Sequence, residues 1–97
     1  MKIPVYISNT DTILVSMSNG IQLSVYKNYQ GNIEQISLVC GIANLIKPQT
    51  FFDLLYVHGY IVEVYKSSYW GSNGPGALLS YALSQKGTDY VKLKYPS

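Results

Sequence analysis

The chain has 97 residues, 47% of them hydrophobic and 12% charged, with seven Lys, no Arg and five carboxylates for a net charge of +2. That length and apolar content suit a single domain, 1–97, able to bury roughly 65% of its unfolded surface without disulfides or metals. Without Arg the chain has no bidentate fork for phosphates and base edges, which disfavours sequence-specific DNA recognition; the lone Cys40 excludes an internal disulfide and supports no thiolate metal site.

Residues 1–5 have neither the apolar core nor the cleavage site of a signal peptide, and no apolar run reaches membrane-spanning length. A soluble, intracellular protein with no membrane partner is the expectation. Residues 5–8 read as a first strand, with Pro4 at its start or on an edge and Asn9, Thr10 and Asp11 forming a turn or the beginning of a site. In residues 13–26, Ile21, Leu23 and Val25 alternate with Gln22, Ser24 and Tyr26, and Asn19-Gly20 offers the positive backbone angles of a tight turn. Two antiparallel strands are expected there.

From Asn32 the apolar residues Leu38, Val39, Ile42, Leu45 and Ile46 recur near the helical period, and Asn32 with Gln35 has capping-box spacing, so a helix is expected despite Gly41. Pro48 separates it from a second helix that Thr50 and Asp53 open, that Phe51, Leu54 and Leu55 give one apolar face, and that Gly59 ends. Residues 60–66 read as a strand. The segment after the glycine-rich run Trp70-Gly-Ser-Asn-Gly-Pro-Gly76 has two readings: Ala, Leu, Gln and Lys favour a helix, while Leu79, Tyr81 and Leu83 alternate with Ser80, Ala82 and Ser84. The alternation tips the balance to a strand, making the run a hairpin tip. Val91, Leu93 and Tyr95, alternating with Lys92 and Lys94, predict a last strand with its lysines toward solvent. The resulting fold class is α+β: a mainly antiparallel sheet of five or six strands with two helices packed on one face.

Few residues carry chemistry. Gly71, Gly74 and Gly76 would expose anion-binding amides only if a helix followed, and their spacing matches neither the P-loop nor the dinucleotide fingerprint. Trp70 beside them is a candidate anchor for a partner. His58, the one histidine, sits near a helix end where a cation is favourable, with Asp53 poorly spaced to serve it as a partner. The carboxylates Asp11, Glu34, Asp53, Glu63 and Asp89 have no metal-motif spacing, so neither metal nor cofactor is expected. Lys86, Lys92 and Lys94 form a small basic cluster.

Taken in order, the strand ending in Tyr6-Ile-Ser-Asn9-Thr10, the join at Gly41, the strand Ile61-Val-Glu-Val-Tyr65 and the close Ser84-Gln85-Lys86-Gly87 resemble the small crenarchaeal-virus ring nucleases. Members of that anti-CRISPR family are homodimers that bind and cleave cyclic tetra-adenylate. The resemblance implies ligand contacts from Asn9 and Gln85, with Lys86 standing where the family has Arg. Ile42 stands where the family has its catalytic His, and the family's closing acidic residue is missing after Lys86. Isoleucine transfers no proton, so the resemblance implies binding without nuclease activity. The Tyr-rich, Lys-only composition is also similar to that of orphan proteins of archaeal viruses and mobile elements.

Two functions are therefore expected in order. The first is a non-enzymatic accessory protein of such an element, a homodimer in the host cytoplasm that binds a host protein or a nucleotide-like ligand such as a cyclic oligonucleotide. The alternative is a single-stranded nucleic-acid binder in which exposed tyrosines stack on bases and Lys92 and Lys94 contact phosphates.

Overall fold

The computed structural model describes residues 5–7, 9–38, 44–71 and 74–96. It contains β1 (Val5–Ile7), α1 (Thr10–Ser18), β2 (Leu23–Asn28), β3 (Ile33–Leu38), β4 (Asn44–Ile46), α2 (Pro48–Phe52, continued by a wider π turn at Asp53–Val57), β5 (Ile61–Gly71), β6 (Gly74–Leu83) and α3 (Gln85–Lys94). One six-stranded sheet runs in the order β1-β4-β3-β2-β6-β5; only β1 and β4 pair in parallel. The α+β class with a mainly antiparallel sheet is as expected, and three helical segments rather than two cover it.

Three expected elements are corrected. Thr10–Ser18 is a helix, not the first arm of a hairpin, because the Asn9 side chain accepts from the amides of Asp11 (2.9 Å) and Thr12 (3.2 Å) and caps it. Ile13, Leu14 and Met17, at helical spacing, go to the core, and Gly20 at φ +92° ends the helix rather than turning a hairpin. The helix expected from Asn32 is instead the strand β3 and the short β4, with residues 39–43 between them outside the described set. Asn32 closes the β2–β3 turn: the Asn28 side chain accepts from the amides of Gln30 and Asn32, both at 3.0 Å. Ile36 and Leu38 then alternate inward against Gln35 and Ser37.

The expected last strand is the helix α3. Its buried positions are Gly87 and Val91, four residues apart, while Leu93 stays 85% exposed. Ser84 caps it by accepting from the Gly87 amide (3.1 Å) while its hydroxyl donates to the Gly59 carbonyl (2.6 Å). The second expected helix is present, but Pro48 opens it, so Thr50 lies inside the first turn and does not cap. The segment after the glycine run is the strand β6, whose hairpin with β5 carries an irregularity between Glu63 and Tyr65.

The sheet register explains the layers. Leu38, Leu23 and Tyr81 pair directly across β3, β2 and β6, as do Ile36, Val25 and Leu79. These residues form one buried cluster with Ile13, Leu14 and Met17 of α1, Phe51 of α2, Leu54 of the π turn, and Val91 of α3. The helices thus share one side of the sheet, and among the described residues no helix packs on the other side. No helix among the described residues is long and apolar enough to cross a membrane.

Candidate functional site

The most concentrated polar cluster joins α1 to α3. The Asp11 carboxylate accepts from the Tyr90 hydroxyl (2.8 Å), the Tyr95 hydroxyl (2.6 Å) and the Lys94 ammonium (2.8 Å), and Lys94 also donates to Tyr90 (3.1 Å). The Lys94 hydrogen bond, then those from Tyr95 and Tyr90, lower the Asp11 pKa to about 2. The same contact to Asp11 raises the Lys94 ammonium, and that to the carboxylate raises the Tyr95 phenol. An acid in the first turn of one helix thus meets a cation in the last turn of another, where each complements its helix dipole. The cluster is closed on itself, with each donor aimed at Asp11, so it ties the helices together.

The expected ligand residues fall at two different ends of α3. Asn9 caps α1 beside Asp11, hence beside the C-terminal end of α3, whereas Gln85 and Lys86 begin α3. Gln85 and Lys94 are nine residues apart, about 13 Å at the helical rise. The Gln85 amide donates to Asp89 (2.9 Å), and the Lys86 ammonium lies 5.9 Å from the centre of the Tyr60 ring. Tyr60 stacks with both His58 (5.1 Å, planes 9° apart) and Tyr90 (4.7 Å). His58 is therefore engaged in a stack, and the Asp53 carboxylate accepts instead from the Gln49 amide (3.0 Å). Gly71 and Gly74 lead from strand to strand, so no helix begins where amides could cradle a phosphate; residues 72–73 lie outside the described set, as do Cys40, Gly41 and Ile42. Among the described residues no group of three or more His, Cys, Asp or Glu is placed to hold a metal ion.

Lys92 and Lys94 lie on α3, in the helix layer, and Lys94 is committed to Asp11. The exposed tyrosines of the sheet are on the opposite side of the molecule. There the register makes one row across all six strands: Tyr6, Leu45, Ser37, Ser24, Ser80 and Tyr65, each paired with the next. Ser24 and Ser80 are almost buried at its centre, while Tyr6 and Tyr65 are 54% and 60% exposed at its ends. Neighbouring strands lie about 4.8 Å apart, so the row is about 24 Å long, with serines at its centre and tyrosines at its ends. Gln35, Tyr26, Leu78 and Ser67 flank it on one side and Ala82 and Val62 on the other, so no register position there carries a charge. Near Tyr6 and Leu45, where β3 runs beyond β4, a cleft of about 230 Å³ opens toward Pro48.

Sequence reasoning missed both arrangements. The Asp11 cluster spans 79 and 84 residues, with no local signal. The serine row carried one, the Ser24, Ser37 and Ser80 positions within alternating strands, but aligning them needs the register. Comparison with family models, curated proteins and solved structures returns no match.

Proposed function

We propose that this protein is a non-enzymatic binding module, in keeping with an accessory protein of an archaeal virus or mobile element, whose open sheet face docks a partner protein. The observation that carries this reading is the uncharged row Tyr6–Leu45–Ser37–Ser24–Ser80–Tyr65 on the sheet face turned away from the described helices. Interface cores are depleted in charge and enriched in tyrosine, and tyrosine with serine supplies large amphipathic contact area with adaptable hydrogen bonding at low entropic cost. A phosphate-bearing ligand needs cations beside its stacking platform, and the face has none at its register positions.

The test is capture by immobilised protein from host extract, followed by affinity measurement on each captured partner. Ser37→Lys and Tyr6→Asp, placed at one end of the row, should each weaken binding at least about tenfold, as expected where a charge is forced into an interface core. Lys92→Glu on the helix layer should leave it unchanged. Binding that ignores both face variants but falls with Lys92→Glu would defeat the reading. So would salt-steep affinity for single-stranded DNA, or a thermal shift with cyclic tetra-adenylate that Gln85→Ala removes.

A further inference from the structure

The two edges of the sheet are unequal. Among the described residues β1 has three, whereas β5 has eleven and pairs on one side only. Val62, Val64 and Tyr65 of β5 are about half exposed, and Trp70 near its end is 79% exposed. The irregularity at Val64 changes which residues share a face. Glu63 pairs with Tyr81 and Lys66 with Leu79, two residues of the buried cluster, so both charges lie toward the helix side although three positions apart. In an unbroken strand residues i and i+3 point to opposite faces. Glu63 also helps to raise the Tyr81 phenol, after burial, which agrees with that side. Among the described residues the one ion pair is Lys94 with Asp11, so Glu63 and Lys66 have no salt-bridge partner among those residues.

The geometry points to a second copy of this chain pairing on β5, antiparallel about a twofold axis between Val64 and Tyr65. This inference is independent of the function proposed above, since it concerns the sheet edge and not the open face. In that register Glu63 of each copy faces Lys66 of the other on the helix side, making two cross-strand ion pairs related by the axis. Val64 faces Tyr65, a β-branched and aromatic pair, and Val62 faces Ser67 on the open side. The strand is self-complementary in charge, as an isologous interface requires, and carries no net charge to repel its copy. The register depends on the bulge: in an unbroken strand this pairing would set opposed side chains on opposite faces. Pairing would satisfy the free backbone groups of the long edge and join two sheets into one of twelve strands.

Sedimentation equilibrium on the full chain is expected to give twice the 10.8 kDa of one chain. Glu63→Lys sets four lysines about the axis and Lys66→Glu sets four glutamates, so each variant alone should run at the single-chain mass with unchanged circular dichroism. An equimolar mixture of the two should regain the doubled mass, because each lysine then faces a glutamate of the other variant. A parent chain that stays at the single mass at every concentration overturns the proposal. A dimer indifferent to both single reversals, or a mixture of folded variants that stays monomeric, overturns it equally.

Discussion

Gly87 shows how one residue can hold an element in place. A Cβ built there would stand 2.1 Å from the Tyr60 carbonyl oxygen and 2.9 Å from its carbon, both backbone atoms. That oxygen also accepts from the Ser84 amide (2.9 Å), so the backbone cannot move away without opening the start of the β5–β6 ladder. Gly87→Ala, harmless by helix propensity, should therefore destabilise the protein by about 3 kcal/mol or more in urea unfolding. A loss below about 1 kcal/mol would mean that α3 can lift from Tyr60. In the sequence Gly87 reads as a stop or a closing glycine; only the approach of Tyr60, 27 positions away, makes it a contact glycine.

Among elements, α1 and α3 depend on each other through Asp11. Its folded pKa of about 2 lies below the ordinary 3.8, so the charged cluster adds stability above the ordinary carboxylate range and loses it as pH falls from about 4 to about 2. On the alkaline side the Lys94 and Tyr95 groups are raised, so their contribution persists through neutral pH and is lost as pH rises from their ordinary values through the raised ones. Melting temperature followed by circular dichroism should drop more steeply between about pH 4 and pH 2 in the parent than in Asp11→Asn, which has no charge to lose; parallel curves would refute the clasp. Both helices were misread from sequence for the same reason. In short runs such as Ile13–Leu14–Val15–Met17 or Val91–Leu93–Tyr95, spacings of two and of three to four fit equally, and burial alone chooses. Leu93 lies outside the core and Leu14 within it.

At the scale of the whole molecule, one aromatic pivot links the helix layer to the sheet. The buried Phe51 ring meets Tyr81 edge-on at 5.1 Å and 81°, and Phe52 beside it is 38% exposed. Phe51→Ala should cost about 3–5 kcal/mol in urea unfolding, by lost transfer energy and the cavity left behind, whereas Phe52→Ala should cost about 1 kcal/mol or less. Equal costs would place the core boundary elsewhere. Much of the sheet was legible. Residues 21–26 and 79–83 alternate and residues 60–66 are rich in Ile, Val and Tyr, enough in each case to mark a strand, and the Phe51 and Leu54 spacing after Pro48 marks α2. The candidate face was not legible, because its serine row draws one residue from each of six strands. β1 and β4, which begin that row, pair in parallel across the whole of α1, β2 and β3.

By itself the sequence determined composition-level properties: a single-domain-sized apolar core, few charges, no Arg fork, an α+β alternation of periods, and the β5–β6 hairpin around its glycine tip. Each of these depends on residues close in the chain or on totals. The tertiary structure decided which short amphipathic runs became helices, which tyrosines face away from the core, and that Glu63 and Lys66 share a side of the edge strand. Those outcomes depend on burial and register between distant segments, and a one-residue shift of register or a single bulge exchanges the two faces of a strand.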